Sequence, residues 1–221
     1  MRRPRLGIIP GDPSGIGPEL IAKLLQEPAV LAQADVLLIG DAHLWEGGAK
    51  QAGLPLHLET IDEANLSTGF ALAHLDLATI AAEDVQIATV TQASGNSALR
   101  CLDKALDLAQ SNTIDGILFA PFNKAALTLA GLNAEDEHRY MARYLGFEGY
   151  HSEINVLDAL MTTRVTSHIG LKDVAANIDQ PAVMRAVDLA YSTLNKSGKT
   201  RPHVAVACLL YTSDAADEED S

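Results

Sequence analysis

The sequence predicts an α/β protein, a three-layer α/β/α arrangement around a mostly parallel sheet. Two observations predict it. Short apolar runs of strand length alternate with segments of helical spacing, and a βαβα order places successive strands parallel with helices over both faces. The 221 residues, 48% hydrophobic and 20% charged, also suffice to bury a substantial core without disulfides or a metal to hold it.

Residues 5–10 form the first apolar run, which ends in the turn residues Gly11, Asp12, Pro13, Ser14 and Gly15. Residues 18–25 then have helical spacing, and Pro18 suits a first helical turn, where a missing N–H costs nothing. A second run at 35–40 leads into a helix expected over 42–52. Residues 56–94 are less periodic and are expected to be irregular with short strands, 85–90 alternating weakly. From Gly95 a helix is expected to about Ser111, with Leu99, Leu102, Ala105, Leu106 and Ala109 on one stripe, handing over to a buried strand at 114–120. Pro121, Phe122, Asn123 and Lys124 turn the chain into a helix at 125–130, and Asn133 or Glu135 is expected to open another that reaches Leu145. Strands at 154–157 and 164–168, a helix from near Leu171, a helix at 181–194 and a last strand at 203–207 complete the order. No internal repeat or linker separates two independent cores.

Composition excludes some function classes. The formal charge is −13 and the 16 Lys and Arg are scattered, whereas a nucleic-acid binder needs them clustered against phosphates. Cys101 and Cys208 lie far apart and match no CxxC spacing, so neither a disulfide framework nor a thiolate zinc site is indicated, which favours a reducing compartment. The start is basic but reaches Pro10 after too few apolar residues for a secretory leader, and no stretch approaches the roughly 20 apolar residues of a membrane span. A cytoplasmic protein with no membrane partner is expected. Residues 208–221 differ in kind: they carry five acids and no base, which suits a disordered acidic tail, and CLLYTSDAADEEDS resembles a translated adapter rather than native coding sequence.

Several residues are candidates for chemistry. The turn from Gly11 to Glu19 has no Gly-Lys-Ser/Thr, so it is not a Walker A loop, and Leu20 stands where a dinucleotide fingerprint needs its third glycine. It brings backbone N–H groups and a helix N-terminus to the end of a strand, so a tight structural turn and an anion loop both fit. Lys124 follows a strand and is either a surface lysine or a charge aimed into the cleft at the strand ends, and the placement favours the cleft. His138 and Arg139 lie on a polar helix start that by composition alone reads as a solvated face. On residue type alone His168, at the end of an apolar strand, reads as a hydrogen-bonded structural histidine. Asp173 reads as a cap or an exposed acid, and His43, His57, His74, His151 and His203 have no motif context and read as structural.

The run PGDPSGIGPE at 10–19 resembles the opening signature of the 4-hydroxythreonine-4-phosphate dehydrogenase family, itself similar in fold to the isocitrate and isopropylmalate dehydrogenases. Three further blocks follow in that family's order: Ala120-Pro121-Phe122-Asn123-Lys124, Glu137-His138-Arg139, and Thr166-Ser167-His168-Ile169-Gly170-Leu171-Lys172-Asp173-Val174. The resemblance covers residues 5 to about 207 and stops at Cys208.

The resemblance implies that residues 1–207 belong to an incomplete dehydrogenase of that family, using NAD and a divalent metal (zinc, manganese, magnesium or cobalt). It makes His168 one of three imidazole metal ligands and His138 a substrate contact; Lys124, from its placement toward the cleft, is expected to be the catalytic residue. Arg139 stands where the family has Thr, and Glu137 where it has Gly; an Arg there can grip a carboxylate or phosphate with two hydrogen bonds. The implied reaction oxidises a secondary alcohol, with decarboxylation where a 3-oxo acid results. The implied substrates are small anions: 4-hydroxythreonine 4-phosphate in pyridoxal phosphate synthesis, sugar-acid phosphates, or aromatic dihydrodiol carboxylates. A homodimer with a shared active site is also implied. After Ala207 the family's Gly-Leu-Asn-Pro-His-type loop is absent, so the chain is expected to be the N-terminal two-thirds of a longer enzyme and inactive alone. The rival readings are an acyl or phosphoryl transferase of related fold, which would not require His168 in its block, and a non-catalytic fragment.

Overall fold

In a computed structural model of the chain, the described residues are 2–67, 69–132, 136–157 and 160–207. They fall into two compact units, one up to Phe147 and one from Glu148, a boundary that no linker signal in the sequence marks.

In the first unit Arg5–Ile9 (β1), Asp35–Ile39 (β2), Leu72–Leu75 (β3) and Gly116–Phe119 (β4) form a parallel sheet of order β3-β2-β1-β4. Its helices are Gly17–Leu24 (α1), Pro28–Gln33 (α2), Ala42–Ala52 (α3), Gln92–Gln110 (α4), Lys124–Leu129 (α5) and Glu137–Tyr144 (α6). Alternate strand residues serve opposite faces. Ile8, Val36 and Leu38 pack with Ile21, Leu25 and Trp45 of the α1 and α3 layer. Ile9, Leu37, Ile39 and Leu75 pack with Cys101, Leu102, Ala105 and Leu106 of α4 on the other. The central strands are thus continuous apolar runs because both of their faces are covered, and each fully buried Leu or Ile contributes roughly 1.5–3 kcal/mol. The three-layer expectation holds.

Differences from the expected elements have local causes. The long helix begins at Gln92, three residues before Gly95, because the Thr91 side chain accepts from the Ser94 N–H and caps it. The strand at 114–120 is shorter and only half buried, since β4 is an edge strand with Leu118 and Phe119 exposed. Residues 85–90 form no strand: Ala88 has φ +58 and its N–H donates to Ser14 O at 2.8 Å, so this segment is tied to the Gly-rich turn and not to a ladder. Helix α6 opens after Asp136, whose carboxylate accepts from the Arg139 N–H at 2.9 Å. Asn133 and Glu135, the expected openers, lie outside the described residues.

The second unit contains an antiparallel pair, Asn155–Leu157 (β5) and Leu160–Thr162 (β6), and the helix Gln180–Lys196 (α7), capped by Asp179. The strand expected at 164–168 does not form. His168 has φ +57, a left-handed conformation that ends an extended run. The helix expected near Leu171 is two 3-10 turns, Leu171–Asp173 and Ala175–Asn177, with Asp173 an exposed acid. Residues 203–207 are largely exposed and pair with no strand among the described residues, because an extended segment is a strand only when another strand takes up its hydrogen bonds. The acidic stretch 208–221, with Cys208, lies outside the described residues. Among the described residues no helix is long and apolar enough to cross a membrane.

Candidate active site

The strand order reverses between β1 and β4, and parallel sheets place ligand sites outside the carboxyl ends of the strands at such a switch point. Two loops meet there. The Asp12 N–H donates to Pro121 O at 3.0 Å, and a Cβ on Gly11, which has φ +71, would lie 2.4 Å from Ala120 O. A Cβ on Gly17 would lie 1.9 Å from Pro10 O. These glycines are therefore required for close packing of the turn against its neighbours, as a structural turn needs. Beside it lies a groove of about 650 Å³, whose lining includes Ser14, Ile16, His43, Gln51, Val85 and Ile87. Of the histidines read as structural, His43 is one that borders this groove, and its Nε2 is buried without a hydrogen-bond partner. None of Lys124, His138, Arg139 and His168 lines the groove.

Lys124 stands in the first turn of α5, exposed, directly after the β4 loop; Asn123 caps that helix by accepting from the Ala126 N–H at 3.2 Å. A cation in a first turn opposes the helix dipole, so helix stability is not the reason for a lysine there.

His138 and Arg139 both stand against one residue, Asp136, that neither motif nor composition singles out. Asp136 is 5% exposed. Its Oδ1 caps the Arg139 N–H and lies 3.0 Å from His138 Nδ1, while its Oδ2 lies 3.8 Å from Arg139 Nε. The polar start of α6 is therefore a built cluster and not a plain solvated face. The signal was available: an Asp immediately before a helix is a strong N-cap preference.

In the second unit His168 is about two-fifths exposed, with its Nε2 3.9 Å from Glu153 Oε1. A catalytic metal centre keeps three protein ligands and an open position. Among the described residues no group of three or more His, Cys, Asp and Glu could hold a metal ion. His168 and Glu153 alone do not fit such a centre.

The model of the family described as "Pyridoxal phosphate biosynthetic protein PdxA" matches residues 32–210. The chain belongs to the PdxA family. A relative from Rhizobium meliloti (strain 1021), provisionally named 4-hydroxythreonine-4-phosphate dehydrogenase 2, is 38% identical over 210 residues, covering 94% of this chain and 60% of the relative. The D-threonate 4-phosphate dehydrogenase of Cupriavidus necator is 34% identical, covering 92% of this chain and 61% of the relative. The crystal structure of a 4-hydroxythreonine-4-phosphate dehydrogenase from Burkholderia phymatum superposes with a TM-score of 0.80 at 31% identity, covering 92% of this chain and 62% of that one. The chain thus spans about three-fifths of the length of the relatives it matches.

In this PdxA-family chain the helix bearing His138 and Arg139 is fastened by a ladder of two tyrosines. The Tyr140 hydroxyl donates to Asp103 Oδ1 at 2.6 Å and the Tyr144 hydroxyl to Asp107 Oδ1 at 2.9 Å. Both pairs repeat at i,i+4, so they lie on facing stripes of α4 and α6. Burial, with the hydrogen bond to Asp107 second, pushes the Tyr144 phenol up to about 12, and burial also pushes Tyr140 well above its usual range. A phenol whose pKa rises on folding contributes stability that is fully present below its unfolded value of about 10 and is lost as pH rises through the folded value. The melting temperature is therefore expected to fall between pH values of about 10 and 12, and to fall less steeply in a Tyr140→Phe/Tyr144→Phe double variant. Parallel alkaline melting curves for the two proteins would contradict this. Cys101 belongs to the core and not to the chemistry: burial first, then the nearby Asp41 carboxylate, push its thiol up to about 12.

Proposed function

We propose that the complete protein is a dehydrogenase, dependent on NAD and a divalent metal, that oxidises a secondary alcohol of a phosphorylated hydroxy acid. The substrate is 4-hydroxythreonine 4-phosphate or a related sugar-acid phosphate, the product loses CO2 where it is a 3-oxo acid, and the setting is pyridoxal phosphate synthesis in the cytoplasm. The observation that carries this reading is the pair His138 and Arg139, held beside one buried carboxylate at the start of α6. Arg139 offers a planar fork that matches a phosphate or carboxylate, His138 supplies a hydrogen bond, and Lys124 adds a cation beyond the end of β4. The names of two relatives support the same class, since one refers to 4-hydroxythreonine 4-phosphate and the other to D-threonate 4-phosphate.

His168 is the candidate metal ligand within this chain, and the zinc, manganese, magnesium or cobalt ion needs further ligands from outside the described residues. The NAD contacts are assigned to the same missing length. A homodimer completes the proposal.

The test is to purify the complete protein, supply each metal in turn with NAD and a panel of substrates, and follow NADH absorbance. Turnover on the order of 1 per second or faster is expected with a phosphorylated hydroxy acid. In the same assay Arg139→Thr is expected to change the ratio of kcat/KM between phosphorylated acids and aromatic dihydrodiol carboxylates by about tenfold. No turnover with any phosphorylated hydroxy acid, or an unchanged ratio, counts against the reading.

A further inference from the structure

Helix α6 carries His138 and Arg139 but is too short to place them by itself. It has eight residues, and isolated helices shorter than about 12–15 residues are marginal in water, so its position is set by what it packs against. Its Tyr140 and Met141 pack against the core that α4 covers. Apolar contact is non-directional, so it holds a helix against its neighbour while leaving it able to roll about its own axis. Hydrogen bonds are directional and weaken steeply when misaligned, and the two phenol bonds from α6 reach α4 one helical turn apart.

The geometry is that of a two-point clamp. The Tyr140 hydroxyl donates to Asp103 Oδ1 at 2.6 Å in a partly buried setting, and the Tyr144 hydroxyl donates to Asp107 Oδ1 at 2.9 Å nearer the surface. Both acceptors are carboxylates, which makes the bonds charge-assisted. The two rings stand 6.2 Å apart with their planes tilted by 40°, so each also steadies the other. Asp103 and Asp107 belong to a helix whose Cys101, Leu102, Ala105 and Leu106 are buried, which anchors the acceptors to the packed core. Successive side chains of an α-helix turn by about 100°, which puts His138 and Arg139 on either side of the direction opposite the two tyrosines. A roll of α6 therefore swings both of them through the same angle.

We propose that Tyr140 and Tyr144 are positioning residues, whose bonds to Asp103 and Asp107 fix the roll of α6 on α4 and thereby the direction in which His138 and Arg139 meet an anionic substrate. The substrate role of His138 and Arg139 rests on the function proposed above; the clamp does not.

The experiment is amide hydrogen exchange, followed by NMR on this chain, for the wild type and for Tyr140→Phe/Tyr144→Phe, which keeps both rings and removes both hydroxyls. Exchange of the amides at 140–144 is expected to rise about tenfold, with the β1, β2 and α4 amides unchanged. Unchanged exchange in α6, or an equal rise throughout the sheet, would overturn the clamp. Asp103→Asn keeps an acceptor oxygen for Tyr140 and is expected to exchange like the wild type, whereas Asp103→Leu is expected to match Tyr140→Phe. Combining Asp103→Leu with Tyr140→Phe should add nothing to either alone, because they remove the same bond, and fully additive effects would count against the pair. In the complete protein the double phenylalanine variant is expected to raise KM for the phosphorylated hydroxy acid about tenfold with kcat little changed. A loss confined to kcat would overturn the positioning role. No substrate enters the exchange measurement, so it decides the clamp whether or not the complete protein turns over the proposed substrates.

Discussion

Gly95→Val is expected to unfold the first unit or leave it barely stable at room temperature. Gly95 lies in the first turns of α4 where that helix crosses α5, and a Cβ there would sit 2.0 Å from the backbone oxygen of Ala126 and 2.6 Å from its carbonyl carbon. Side chains can rotate away from such a contact, but a peptide carbonyl inside a helix cannot, so α5 would have to move bodily off α4. Overpacking of a core commonly costs about 1–3 kcal/mol, and a forced backbone separation belongs at or beyond the top of that range. The gain in helix propensity on replacing glycine, at most about 1 kcal/mol, does not offset it. Gly47, within α3, provides the control, because a Cβ there meets nothing within 4 Å. Gly47→Ala should therefore be neutral or stabilising by up to about 1 kcal/mol. Urea unfolding of the two variants beside the wild type tests the argument, and a Gly95→Val midpoint equal to the wild-type midpoint would sink it.

Asp41→Ala is expected to cost about 3 kcal/mol or more, with a fall in Tm on the order of 10 °C. Asp41 is 2% exposed at the end of β2. It accepts three hydrogen bonds from the loop after β3: from the Thr79 N–H at 2.7 Å, the Thr79 hydroxyl at 3.0 Å and the Ile80 N–H at 2.8 Å. The Thr79 hydroxyl in turn lies 2.6 Å from the Ser97 hydroxyl of α4, so one carboxylate joins β2, the loop and the long helix. Alanine would strand two backbone donors where water has little access, and an unmade hydrogen bond costs more than a made one gains. Asp41→Asn keeps one acceptor oxygen but sets an amide donor against a donor, and should fall between the two. The second readout is amide hydrogen exchange, in which Thr79 and Ile80 should lose protection while the β1 and β2 amides keep theirs. Uniform loss of protection across the sheet would show that Asp41 holds the core and not the loop.

Much of the first unit could be read from the residues. The runs at 5–10 and 35–40 became β1 and β2 because their apolar side chains alternate between two covered faces, and the helix at 42–52 appears with those bounds. The stripe of Leu102, Ala105 and Leu106 is the buried face of α4. The second unit is less legible in its residues. The segment at 164–168 has strand-like composition, yet His168 takes a left-handed conformation, and 203–207 has no partner strand among the described residues. A strand depends on hydrogen bonds to chain distant in sequence, so composition alone overstates it.

The candidate site divides along the same line. Motif resemblance picked out Lys124, His138, Arg139 and His168 by residue type and order, which are properties of the chain. It did not pick out Asp136, whose importance arises only when the turn into α6 folds its carboxylate back onto His138 and Arg139. Nor did it show that the tyrosines at 140 and 144 reach acids some 37 residues earlier, on α4. The sequence by itself determined the parallel three-layer plan of the first unit, because strand and helix periodicity are local and the two-faced burial of β1 and β2 follows from them. Only the tertiary structure decided where β4 sits, that Gly11, Gly17 and Gly95 are there for backbone approach, and which carboxylate stands against which imidazole. Those contacts join residues that are close only after the chain has packed, and no local pattern carries them.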